Sequence, residues 1–180
     1  MTNASEITVR AAQASDAPQL RDIFPTSDLP PKLKQGASGR FVILMAVVGA
    51  GAPGPGVAGV LGVDLEGRPA TPDAPGESAP QTPPEIFGVE MVAGIDPDLE
   101  PRVWSALHDE AERLAQERGA GMIGVALGVV EAALIKRYEQ RGYEHIGPGP
   151  YRDMGGGHRE YLQGYTDPVG FQLDYGKQLG

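Results

Sequence analysis

Between Ile86 and Arg141 the apolar residues change their spacing three times, and the order of those changes leaves few folds open. Ile86 to Ile95 (IFGVEMVAGI) is a largely apolar run of strand length. After Asp98 the period becomes helical: Trp104, Leu107, Ala111 and Leu114 are three, four and three residues apart and form one stripe. Pro101 suits the first turn of that helix, Asp109 and Arg113 can pair across one turn, and Gly119 stops the helix after Arg118. Ile123, Val125, Leu127 and Val129 then alternate as a strand does. From Val130 to Arg141 the pattern is helical again, with Val130, Ala133, Leu134 and Tyr138 facing the core and Gly142 ending it. Strand, helix and strand in this order require a right-handed parallel crossover, so at least part of the sheet is parallel.

The flanking segments add mostly antiparallel structure. Ile7 and Val9 alternate with Thr8 and Arg10 as a short strand, and Ser15 and Asp16 can cap a helix through Phe24 with Pro18 in its first turn. Phe41 to Val48 is a fully apolar strand, and Val57, Leu61, Val63 and Leu65 share one parity in the next. The connection between them, Gly49 to Gly56, carries six glycines and prolines in eight positions and reads as a hairpin loop. Glu66 to Glu85 carries eight in twenty and reads as a long loop. Gly94 suggests a bulge or a close backbone approach near the end of its strand. Tyr143 to Ile146 and Val169 to Gln178 supply two last strands.

Apolar segments resume on both sides of each glycine-proline loop, so residues 1–180 read as a single domain that contains loops 49–56 and 66–85. The longest apolar run has eight residues, Phe41 to Val48, against roughly 20 for a bilayer span. The opening MTNASE lacks the shape of a signal peptide, and the expectation is a cytoplasmic protein without membrane contact. With no cysteine, thiolate metal sites and a cysteine nucleophile are excluded, and His108, His145 and His158 lie too far apart in sequence to suggest a metal site. A formal charge of −9 opposes nucleic acid as a partner.

Three segments, in order, resemble the GCN5-related N-acetyltransferases (GNATs). ITVRAAQASDAPQLRDIF resembles the family's first strand and helix; IDPDLEPRVWSALHDEAERLAQERGAGMIGVAL resembles its cofactor-binding strand-helix-strand; and EAALIKRYEQRGYEHIG resembles its closing helix, tyrosine, glycine and aromatic. The resemblance implies an α+β, three-layer fold: a mixed, mostly antiparallel sheet, splayed between its fourth and fifth strands and flanked by helices. It further implies acetyl-coenzyme A as co-substrate, no metal, an amine acceptor on a small molecule or protein, and a homodimer.

The pyrophosphate motif is degenerate. The family places glycines at the start of the long helix so that backbone N–H groups can approach the phosphates. Here no glycine lies between Gly94 and Gly119; the two expected positions fall on Arg102 and Trp104, or in the alternative register on Val103 and Ser105. Arg102 could offer a charge-assisted phosphate contact, while the bulk of Trp104 would crowd the path. Backbone N–H groups of Val92, Ala93, Gly94 and Ile95 would hold the acetyl carbonyl. By resemblance Tyr138 is the acid that protonates the leaving thiolate, a phenol of pKa about 10 facing a thiol of about 8.5. Glu90, inside an apolar strand beside the splay, is the candidate base, on the expectation that the strand buries it. Tyr151, Tyr161, Tyr165 and the segment Gly155 to His158 are candidates for an acceptor wall. Two functions follow: direct N-acyl transfer from acetyl-coenzyme A, or a noncatalytic GNAT-like binding domain that has lost tight coenzyme A binding.

Overall fold

The computed structural model describes residues 6–21, 23, 39–49, 56–67, 82–155, 158–161 and 169–180. The expected end of the first helix at Phe24, the interiors of both glycine-proline loops, Tyr165 and the side chain of His158 lie outside them. Among the described residues eight strands form one sheet in the order β1-β2-β3-β4-β5-β8-β6-β7. These are β1 Ile7–Ala11, β2 Phe41–Val48, β3 Gly56–Asp64, β4 Glu85–Met91, β5 Met122–Gly128, β6 Glu144–Gly155, β7 His158–Tyr161 and β8 Gln172–Gln178. Within this sheet only the β4–β5 pair is parallel; the remaining neighbours are antiparallel.

The helices are α1 Ala17–Leu20, preceded by a 3-10 turn at Ala14–Asp16, α2 Glu100–Glu117 and α3 Ala132–Gln140. Asp16 does not cap α1 with its side chain; it accepts the Gln13 N–H at 2.8 Å and a two-pronged bond from Arg10 at 2.7 and 2.8 Å. The Arg10 guanidinium holds the Asp16 carboxyl below the usual carboxylate range. The strands alternate between two apolar layers. Leu20 packs with Ile43, Met45 and Val60 on one face of the sheet, and α2 and α3 cover the other with Trp104, Leu107, Ala111 and Tyr138 against Val42, Leu44, Leu61 and Val125. The sheet is therefore sandwiched between helices, with α2 on the larger core.

Helix α2 lies close to β3 because Gly59 has no side chain. A Cβ there would stand 2.8 Å from Met91 Sδ, 3.0 Å from Val103 Cγ1 and 3.2 Å from the Glu90 carbonyl oxygen. Gly59→Ala is expected to lower stability by about 1–3 kcal/mol through overpacking, measured by urea denaturation; an unchanged midpoint would show that the helix can lift without cost.

Several local expectations change. Strand β4 ends at Met91, and Gly94 sits in a turn at φ +77°, where an added Cβ would meet nothing within 4 Å; the glycine serves backbone handedness and not a bulge or a close approach. Helix α3 starts two residues later than its periodicity suggests, leaving Val130 and Ala133 exposed while Leu134, Ile135 and Tyr138 turn inward. The C-terminal region holds three strands where two were expected, because β6 continues past Pro148 and Pro150 through a register irregularity between Ile146 and Tyr151.

Candidate active site

The parallel ladder between β4 and β5 contains just Glu85 with Gly124 and Ile86 with Val125. Beyond Ile86 the two strands diverge, and β4 bonds to β3 while β5 bonds to β8. The gap opens onto a cavity of about 230 Å³ between Gly88, Val89 and Met91 on one side and Ala126 and Leu127 on the other. This is the splay expected between the fourth and fifth strands. Among the described residues no ladder joins the two strands beyond the Ile86–Val125 pair, and Val89, Met91, Ala126 and Leu127 flank the gap with apolar side chains.

Trp104, Arg137 and Tyr138 form the back wall. The Trp104 indole stacks on the His108 ring, centroids 3.8 Å apart and tilted by 31°, and meets the Tyr138 ring edge-on at 5.4 Å. The Arg137 guanidinium lies 4.2 Å above the indole and reaches Glu100 at 2.7 Å. This cluster follows from helix spacing: Glu100, Trp104 and His108 recur every four residues on α2 and therefore share a face.

His108 is fully buried, and its protonation can be assigned from its partners. Nδ1 lies 2.7 Å from the Trp104 carbonyl oxygen, which can only accept, so Nδ1 carries the hydrogen. Burial lowers the His108 pKa to about 3, with Arg141 and Arg137 adding to the effect against the pull of the Trp104 carbonyl. The ring is therefore neutral, and Nε2 accepts the Tyr138 hydroxyl proton at 3.0 Å. Burial also pushes the Tyr138 phenol well above its ordinary pKa.

Those bonds change the role expected of Tyr138. Its proton points to His108, away from the gap, and turning it outward would strand a buried imidazole nitrogen at a cost of about 1–3 kcal/mol. The upward shift also moves the phenol further from a thiol's range, so it becomes a weaker donor to a thiolate. Tyr138→Phe is accordingly expected to cost about 1–3 kcal/mol in stability while leaving acyl-transfer turnover within about twofold. A large fall in turnover with unchanged melting would restore the acid role.

The remaining candidates separate. Glu90 is exposed and paired in register with Val60, so its side chain lies on the α1 face of the sheet; the burial that its role as base requires is absent. Val92 donates its N–H to Ala58 at 3.0 Å and Ile95 donates to Val92 at 3.2 Å, so two of the four proposed carbonyl-holding amides are engaged within the fold; Ala93 and Gly94 lie in the turn between them. Val103 is buried under β3 at Gly59. The Ser105 hydroxyl lies 3.4 Å from Arg141, on the side of α2 that meets α3. Arg102 is exposed and, two residues from both Glu100 and Trp104, sits on the opposite side of the helix from the cavity.

The helix start does not offer an anion cradle. Asp98 N–H donates to Asp96 Oδ1 at 2.9 Å, and the N–H groups of Leu99 and Glu100 both donate to the Asp96 carbonyl. Arg102 and Val103 donate to the Leu99 carbonyl, and Pro101 has no N–H. Every backbone donor from residue 98 to 103 is thus used, and Asp96 and Asp98 are exposed just ahead of the helix. The cavity fits an acyl thioester and its amide-bearing arm, but the helix start does not fit a diphosphate.

Sequence reading missed Glu100, His108 and Arg137. The signal available was their spacing: His108 and Glu100 lie four residues on either side of Trp104, and Arg137 directly precedes Tyr138.

No protein-family model matches the sequence, and no curated protein does. Solved structures do match. A GNAT family acetyltransferase from Elizabethkingia anophelis with acetyl-coenzyme A bound aligns over 96% of this chain and 98% of its own at 11% identity, with a TM-score of 0.56. A Bacillus subtilis acetyltransferase in complex with coenzyme A aligns over 97% and 99% at 15% identity, with a TM-score of 0.57. The fold is that of the GCN5-related N-acetyltransferases. The ribosomal-protein-S18-alanine N-acetyltransferase of Escherichia coli shares this GNAT architecture over 97% of this chain and 94% of its own, at 15% identity and a TM-score of 0.57. Within the GNAT frame, the gap between β4 and β5 is the feature on which the functional reading rests. Among the described residues no helix is long and apolar enough to cross a membrane, and no group of three or more His, Asp or Glu is placed to hold a metal ion.

Proposed function

We propose that the protein is an N-acyltransferase that accepts an acyl thioester, acetyl-coenzyme A among them, in the gap between β4 and β5 and passes the acyl group directly to an amine of a small molecule or protein. The observation that carries this reading is the gap itself: two strands that pair at Ile86 and Val125 and then part around an apolar cavity. The strand edges beyond that pair supply hydrogen-bonding groups for the amides of the donor arm, and the apolar walls exclude water that would hydrolyse a thioester. In this reading Tyr138 and His108 act as a rigid wall that shapes the cavity. Glu90 projects from the opposite face of β4 to the cavity-lining Val89 and Met91 and takes no part in this reading.

A second reading, a noncatalytic binding domain, is favoured by the fully bonded helix start and the exposed Asp96 and Asp98. The two separate in a thiol-release assay with acetyl-coenzyme A and a panel of primary amines. Amine-dependent thiol release supports the transferase; none at millimolar donor with any amine supports the second reading.

A further inference from the structure

We propose that the cleft recognises its donor through the acyl-pantetheine arm alone, with the nucleotide diphosphate of coenzyme A left in solvent. The inference rests on the acyltransferase reading above.

Hydrogen-bond supply is the first reason. A phosphate bound at a helix N-terminus takes N–H groups that the helix itself leaves unused. Here Asp98, Leu99, Glu100, Arg102 and Val103 have all committed theirs, and residue 101 is proline. A diphosphate would have to displace these bonds and not fill vacancies. Charge is the second reason. Asp96 and Asp98 are exposed at this end of α2, and Glu100 holds Arg137, the cation of the cavity wall, at 2.7 Å while the indole lies 4.2 Å beneath it. Carboxylates at the helix start repel a phosphate instead of drawing it in.

The arm meets the opposite environment. Among the described residues the ladder between β4 and β5 ends at the Ile86–Val125 pair, so beyond it an extended chain carrying amide groups can lie between the two strands as an added strand. Val89, Met91 and Leu127 cover the methylene and methyl groups of that chain. Favourable contacts are thus confined to the part of the donor that lies between the strands.

Trp104 is the protein's only tryptophan and lines the cavity, so its fluorescence reports occupancy without a label. The test compares acetyl-coenzyme A with S-acetylpantetheine, each titrated by fluorescence and by calorimetry on the full chain. The proposal expects the two dissociation constants to agree within about threefold, or S-acetylpantetheine to bind more tightly, and acetyl-coenzyme A to gain affinity as salt screens the carboxylates at the helix start. The exposed-site variant Asp98→Lys should raise affinity for acetyl-coenzyme A by a few-fold and leave S-acetylpantetheine unchanged. Acetyl-coenzyme A binding more than about threefold more tightly than S-acetylpantetheine in the unaltered protein overturns the proposal and leaves the transferase reading intact. Binding of neither compound at millimolar concentration overturns both.

Discussion

Trp104→Ala is expected to lower the stability of the protein by about 3–5 kcal/mol, which for a domain of this size is a fall in Tm of roughly 6–20 °C. The indole is 6% exposed and joins four groups: the His108 ring, the Tyr138 edge, the Arg137 guanidinium and the main core cluster. Removing it leaves a cavity next to one that already exists, so the surrounding residues have little reason to close over it. His108 would keep its bonds to the residue 104 carbonyl and to Tyr138, and the loss is therefore one of packing and stacking. Denaturant unfolding at neutral pH measures it. A loss below about 1 kcal/mol would mean that the indole is a lid on the gap and not part of its wall.

Acidification should weaken the fold through His108 before the carboxylates titrate. Its pKa lies near 3 in the folded protein against 6.5 for a free side chain, so between those values the unfolded chain binds more protons and stability rises with pH. Stability is accordingly complete above about pH 6.5 and is lost as the pH falls through the window down to 3, at up to about 1.4 kcal/mol per unit. Between pH 7 and 5 the loss amounts to about 2 kcal/mol, in a range where ordinary carboxylates stay ionised. His108→Gln removes the titrating group and should flatten that part of the profile, although its stability at pH 7 will be lower. Parallel profiles for the two proteins would contradict a neutral, buried His108.

How far such features can be read from sequence depends on whether they are local. The change from strand to helix period around Asp98 locates α2 within two residues at its start and one at its end, and the parity of Ile123, Val125 and Leu127 locates β5. Glu90 is misread because β4 looks apolar on both faces; its outward direction follows only from the register with Val60 on β3. His108 interrupts the apolar stripe of α2 and looks like a surface residue until Tyr138, thirty positions later, supplies its partner. The absence of glycine between Gly94 and Gly119 does signal a crowded helix start. That its N–H groups are consumed is invisible in the sequence, because it depends on the backbone path that carries the Asp96 carbonyl and carboxylate beneath residues 98 to 100. The hairpin of β6 and β7 is hidden for a similar reason: Pro148 and Pro150 read as strand breakers, yet they occupy the stretch where the pairing of β6 with β8 shifts register.

The functional reading stands on the gap between β4 and β5 being the place where a thioester lies. Backbone amide resonances of the protein, followed by two-dimensional NMR during titration with acetyl-coenzyme A, test this most directly. The predicted result is saturable movement of Gly88, Val89, Met91, Ala126 and Leu127, which face each other across the gap. Saturable movement confined to residues outside these two strands, or no movement at millimolar ligand, would contradict it.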